Sequence, residues 1–288
     1  MGRKPLPSRR RRSVHVEKIV GWESYPKGRG HTVSGDVRVF RKLHSPQLGN
    51  YRDILVYLPP SYAASQKRYP VLYMHDGQNI FDEATSYVGE WHVDEIMEDL
   101  AKEGLEALVV GIPNAGVRRL DEYSPFEDSE YGGGEGEAYL RFLLEAVKPL
   151  IDRDFRTLPR REHTFVMGSS MGGLISLYAF FRHPEVFGGA GVMSPSLWFG
   201  DRRVFDYVEA TPFVPGRLYM DVGYKESTLS HVSSRRYLAD VRRMHRILLR
   251  KGYKEGDYLY LEDKRGVHNE ADWARRLPGA LRFLLGAG

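Results

Sequence analysis

Five residues, Gly168-Ser169-Ser170-Met171-Gly172, follow the G-x-S-x-G spacing, and a further glycine stands at 173. The apolar run Thr164-Phe165-Val166-Met167 precedes them, and an apolar stretch of helical length follows as far as His183 and Pro184. Between an incoming strand and an outgoing helix, Ser170 would occupy a tight, strained turn that leaves its hydroxyl exposed. Small residues two before and two after it give room where the two backbones crowd together. The helix N-terminus would aim backbone N–H groups at negative charge developing beside that hydroxyl. The chemistry this pattern suits is nucleophilic attack by Ser170.

A serine nucleophile needs a base, and the base needs a carboxylate to orient it. In a strand–helix sheet of this kind the chain order is Ser, acid, His, each on a loop at the carboxyl end of a strand. His268 is the only histidine beyond position 245 and follows the last strand pattern, which makes it the expected base. For the acid, Glu226 on the loop opened by Gly223 is favoured over Asp221, which lies within the strand itself; Asp263 is a distant third. His231 could line the cleft, while His245 falls in a basic helical pattern that reads as a solvated face. The oxyanion donors are expected to be backbone N–H groups. One is Met171, directly after the nucleophile; the other is Gln78, in the Asp76-Gly77-Gln78 loop after an earlier inner strand.

The elements that must position these groups are legible as a run of alternating patterns. Partial strand alternation covers residues 31–43, and a clearer strand covers 52–58, stopped by Pro59-Pro60. These two should pair antiparallel. Buried strands are expected at 71–75, 105–112, 164–167, 189–193, 217–222 and 257–262. Helical periodicity covers 91–103, with Trp91, Ile96, Met97 and Leu100 as core positions, and 139–151, with Leu140, Leu143, Leu144 and Val147 on one side. Further helices are expected at 229–251 and 270–285, the latter interrupted or entered near Pro278. The fold class is therefore α/β, a mostly parallel central sheet with helices on both faces. Only a helix-sized segment separates the strands at 189–193 and 217–222, which leaves no room for a separate cap domain. Residues 114–136, with three consecutive glycines at 132–134, form an irregular rim at a strand's carboxyl end.

Bulk properties narrow the choices further. The 288 residues carry a formal net charge of +4, yet six cations fall among residues 1–13 without a single acid. The basicity belongs to that tail, read as disordered, and the remainder is slightly acidic, so no nucleic-acid partner is expected. Residues 14–49 read as an N-terminal extension with the first strand, and 50–288 as one catalytic domain. The absence of cysteine excludes thiol catalysis, disulfides and thiolate metal sites. No signal-peptide or membrane-spanning pattern is present, so no membrane partner and a cytoplasmic location are expected. The histidines lack paired ligand spacing, and Gly132-Gly133-Gly134 lacks the Lys-Ser/Thr ending of a phosphate loop; neither a metal nor an organic cofactor is expected.

Seven segments together resemble the putative esterase family related to esterase D, which includes enterochelin-esterase-like and feruloyl-esterase-like serine hydrolases. They are His75-Asp-Gly-Gln-Asn-Ile-Phe-Asp82, Arg119-Leu-Asp-Glu-Tyr-Ser-Pro125, Pro149-Leu-Ile-Asp152, Gly168-Ser-Ser-Met-Gly-Gly173, Ser194-Pro-Ser-Leu-Trp198, Asp221-Val-Gly-Tyr-Lys-Glu226 and His268-Asn-Glu-Ala-Asp-Trp273. The resemblance spans about residues 50–286 and implies the α/β-hydrolase fold. It also implies hydrolysis of a small-molecule carboxylic ester through an acyl-Ser170 intermediate. The family's acid falls on the last position of its Asp-x-Gly-x-x-Asp/Glu segment, here Glu226. The same triad would serve an acyltransferase, and a carbohydrate or peptide binding module of the same fold is the non-catalytic alternative. Tyr123, Trp198 and Trp91 are candidate aromatic walls for small acyl, aryl or sugar esters. Arg119 could receive a substrate anion or pair with Asp121 or Glu122.

Overall fold

A computed structural model describes residues 19–226 and 232–286. The basic tail, His231 and the start of the helix expected from 229 lie outside the described residues.

The chain enters through β1 (Trp22–Ser24), β2 (Asp36–Ser45) and β3 (Asn50–Leu58), an antiparallel meander. β4 (Val71–His75) leads to α1 (Val93–Lys102) and β5 (Leu108–Ile112). The irregular rim holds the short α2 (Arg119–Glu122) and a two-stranded ribbon of β6 (Glu127–Asp128) and β7 (Gly132–Gly133). α3 (Gly136–Phe142) and α4 (Lys148–Asp154) are joined through one π-helical turn at Leu143–Val147. Then come β8 (Thr164–Ser170), α5 (Met171–Arg182), β9 (Gly189–Pro195), α6 (Arg203–Ala210) and β10 (Arg217–Lys225). α7 (Ser234–Lys251), β11 (Tyr258–Val267) and α8 (Glu270–Leu285) complete the chain.

Nine strands form one sheet in the order β1-β2-β3-β5-β4-β8-β9-β10-β11, antiparallel as far as the β3–β5 pair and parallel beyond it. The reversal from β5 back to β4 and on to β8 places the carboxyl ends of β4 and β8 side by side, where sheets of this kind bind ligands. Strand alternation sorts side chains to two cores. Val71, Tyr73, Val166, Leu218 and Met220 join the face covered by α3 to α7, while Leu72, Met74, Phe165, Met167 and Tyr219 join the face under α1 and α8. The mostly parallel sheet with helices on both faces is as expected, and between β9 and β10 the chain forms only α6 and a short 3₁₀ turn.

Several boundaries differ from the pattern reading. β2 begins at Asp36, because Gly35 turns the chain at φ 61°, and it runs on to Ser45 through a bulge at Lys42. β11 extends past 262 to Val267 because β10 pairs with it beyond Gly223 through a register shift. α8 passes through Pro278 without interruption. Proline removes one helical N–H, and the buried Trp273, Leu277, Leu281 and Leu284 hold the helix on the sheet regardless.

Candidate active site

Ser170 ends β8 at φ 58°, ψ −120°, a conformation that L-residues rarely adopt, and α5 begins at the next residue. The glycines around it are sterically required. A Cβ on Gly168 would lie 2.9 Å from the Gly172 backbone, and one on Gly173 would lie 2.9 Å from the Met193 carbonyl. The N–H of Met171, in the first turn of α5, has no intrahelical acceptor. Beside it, β4 is followed by Asp76 at φ 56° and a single 3₁₀ turn, Gly77–Asn79, closed by Asn79 N–H to the Asp76 carbonyl at 2.9 Å. Gly77 lies against β5, where a Cβ would come within 2.5 Å of the Gly111 carbonyl carbon. The Gln78 N–H, inside that turn, is left free in the same way. Its side-chain oxygen accepts from Asn114 N–H at 3.1 Å.

The loop holding Gln78 is braced from below. The Asp76 N–H donates to the Tyr123 hydroxyl at 3.0 Å, and Arg119 grips the Asp76 carboxylate with two bonds of 2.7 and 2.8 Å. Burial pushes Asp76 up, but Arg119, together with Asn114, more than reverses this and holds it below its ordinary value. His75 donates or accepts through Nδ1 with the Tyr139 hydroxyl at 2.7 Å, and burial drives its pKa down to about 3, so it is neutral. Tyr123 is therefore a buried support and no substrate wall. Arg119 pairs with Asp76, not with Asp121 or Glu122. Trp198 does not line the cleft, whereas Trp91 does.

His268 stands between β11 and α8, whose first turn is capped by the Asn269 side chain accepting from Asp272 N–H at 2.9 Å. Its Nδ1 lies 2.6 Å from Glu226 Oε2, which turns Nε2 away from the carboxylate. Trp273 packs edge-on against the imidazole at 4.9 Å and Tyr237 at 5.4 Å, fixing the ring plane. Glu226 is fully buried. Its other oxygen accepts from the Ser194 hydroxyl at 2.6 Å and from Gly223 N–H. Burial pushes Glu226 up, and His268, Ser194 and Gly223 together bring it below its ordinary value, so it is an anion at neutral pH. Asp221 faces elsewhere: it pairs with Arg276 at 2.8 Å and accepts from Tyr219 and the Ser194 N–H. Burial raises its pKa to about 6. Asp263 pairs with Arg275 on the surface.

Ser170 and His268 line the same open cavity of about 920 Å³, together with Gln78, Arg119, Glu270 and Trp273. The Ser170 hydroxyl lies 3.1 Å from the Ser196 hydroxyl, which is 3.2 Å from the Tyr237 hydroxyl; Tyr237 in turn donates to the Ser194 carbonyl at 2.7 Å. Ser194, held at φ 38°, thus serves both halves of the site: its hydroxyl touches Glu226 and its carbonyl anchors the chain leading to Ser170. Ser194, Ser196, Tyr237 and Arg276 were not singled out from the sequence as site residues, although the first two lie in the Ser194–Trp198 segment that carries the resemblance. Beside Trp91, Glu90, His92 and Glu95 bring one ligand-type atom each within 4.8 Å of one another, a grouping able to hold a metal ion but outside the Ser170 constellation.

The chain is similar to proteins of one family over most of its length. A family profile described as "Putative esterase" matches residues 45–284. The chain is 26% identical over 250 residues to "Uncharacterized protein YbbA" of Bacillus subtilis, covering 85% of this chain and 96% of that one. It is 30% identical over 157 residues to "Ferri-bacillibactin esterase BesA" of the same organism, covering 48% of this chain and 51% of BesA. Among solved structures it is similar to an IroE-like serine hydrolase from Shewanella oneidensis, with a TM-score of 0.71 at 19% identity, covering 86% of this chain and 80% of the other.

Proposed function

Because this chain belongs to the putative esterase family and is an enzyme, a carboxylic ester hydrolase, we propose that it works through an acyl intermediate on Ser170. In this reading His268 is the base and Glu226 the orienting acid. The observation that carries it is the 2.6 Å Glu226–His268 bond beside a serine held in a strained elbow on the same cleft. With Nδ1 bound to the carboxylate, Nε2 is the nitrogen left to take the Ser170 proton. As the hydroxyl attacks the ester carbonyl, the Met171 and Gln78 N–H groups receive the developing oxyanion; each is worth about 3 kcal/mol in chemistry of this kind. His268 next protonates the departing alcohol, then draws a proton from water, which attacks the acyl carbonyl and frees Ser170.

Small acyl, aryl or sugar esters suit a cleft this open, and Trp91 and Trp273 supply its aromatic walls. The test is a screen of short-chain, feruloyl and acetyl-sugar esters with Ser170→Ala as control. The variant should lose at least about a thousandfold in kcat and fail to be labelled by an organophosphonate. Equal turnover by both proteins would remove Ser170 from the mechanism. Among the described residues no helix is long and apolar enough to cross a membrane.

A further inference from the structure

The charges on the cleft wall do not cancel. Among the described residues Arg119 is the only lysine or arginine lining it, and both of its bonds go to Asp76. That leaves Glu270, in the first turn of α8, buried to 8% exposure and without an ion-pair partner among the described residues. Gly89 lies against its stem: a Cβ there would sit 3.6 Å from the Glu270 Cβ. A carboxylate taken out of water without a counter-charge is costly. Burial and the Asp76 charge push its pKa up, opposed by its own backbone N–H and Arg119. Around it the cleft offers aromatic rings, Trp91 and Trp273 within and Tyr87 at the exposed rim. Aromatic faces with one anion are the surroundings that hold an organic cation.

The side of the cleft is also defined. Glu270 lies two residues beyond His268, and Trp273, one turn later, packs on the imidazole. In the proposed reaction His268 protonates the leaving alcohol, so the alcohol departs along this wall. We propose that the enzyme selects esters whose alcohol carries an ammonium group, with Glu270 as the anion that recognises it. This rests on the Ser170 reading above, and it makes Glu270 a specificity residue.

The experiment compares kcat/KM for butyrylcholine with that for its neutral isostere, in which carbon replaces the ammonium nitrogen. A third substrate is a butyrate ester of similar size bearing a carboxylate on the alcohol. The wild-type enzyme should prefer the cation over the isostere by about tenfold or more, and the preference should shrink as salt rises. In Glu270→Gln the ratio should fall to within about twofold of unity, and in Glu270→Lys it should invert toward the anionic ester. A purely structural carboxylate at a helix N-terminus would change stability and leave these ratios alone. Hydrolysis of the neutral ester through Ser170 with no cation preference, or a preference unchanged in both variants, overturns the role of Glu270 and spares the mechanism. No hydrolysis of any of the three esters, or of p-nitrophenyl butyrate, overturns the mechanism itself.

Discussion

At the scale of single residues, what distinguishes the two buried carboxylates near the imidazole is the partner each has found. Glu226 spends one oxygen on His268 and the other on Ser194 and Gly223, so all its bonds serve the anion. Asp221 spends its charge on Arg276 and reaches no histidine. Glu226→Gln should therefore lower kcat by roughly a hundredfold to ten-thousandfold with KM little changed, because the amide favours the wrong imidazole tautomer. Asp221→Asn should cost stability first and kcat far less. Steady-state kinetics on both variants, with urea melts alongside, decide the matter; a larger kcat loss at 221 in a folded protein would exchange the roles. Ser196 gives a second test at this scale. Its hydroxyl lies 3.1 Å from the Ser170 hydroxyl. Ser196→Ala should alter kcat by a few-fold without affecting binding, since it loses a single neutral bond of about 1 kcal/mol.

Among the elements, the loop after β4 and the first turn of α1 each hold one residue whose environment is unforgiving. Gly77 touches the β5 backbone, so Gly77→Ala must push the 3₁₀ turn away from the sheet and carry the Gln78 N–H with it. The expected outcome is a loss of about 1–3 kcal/mol in a urea melt and a disproportionate loss of kcat. Asp94 sits in the first turn of α1, fully buried, and burial, aided by its neighbour Glu95, raises its pKa from 3.8 to about 8. Between those values the folded protein holds a proton that the unfolded chain has lost, so stability from this group falls as pH rises and levels off above about 8. Asp94→Asn should thus gain on the wild type as pH is raised; urea midpoints that run parallel from about pH 5 to about pH 9 would contradict it. The elements themselves were largely legible because strand and helix periods dominate here: β4, α1, β8 and α5 begin and end within a few residues of their patterns. The ends of β2 and β11 were not, since a bulge at Lys42 and a register shift at Gly223 are set by the partner strand. The Ser170, Glu226 and His268 positions follow from chain order and loop placement, whereas the roles of Ser194 and Tyr237 arise from contacts across 32 and 43 positions of sequence that no local pattern encodes.

Across the whole molecule, the candidate site is assembled by a sheet whose two faces are sealed by different helices, and α8 is the element that joins them functionally. It packs under the sheet through Trp273, Leu277, Leu281 and Leu284, follows directly from His268, and sends Arg276 back toward the strand ends. Arg276 pairs with Asp221 on β10 and donates to the Ser194 hydroxyl at the end of β9 at 2.9 Å. That same hydroxyl donates to Glu226, so one guanidinium ties the last helix and two strands to Glu226. Removing it should act at two levels. Arg276→Met leaves Asp221 buried without its counter-charge and should cost about 3–5 kcal/mol of stability. Arg276→Lys keeps a charge for Asp221 but, as a single point donor, cannot also hold Ser194 in the same geometry. The lysine variant should therefore fold with a modest loss of stability yet show a kcat reduced about tenfold and KM nearly unchanged, the signature of a misaligned acid. A lysine variant with wild-type kcat would mean that Ser194 holds its place by the backbone alone, and that α8 contributes His268 and packing but no alignment.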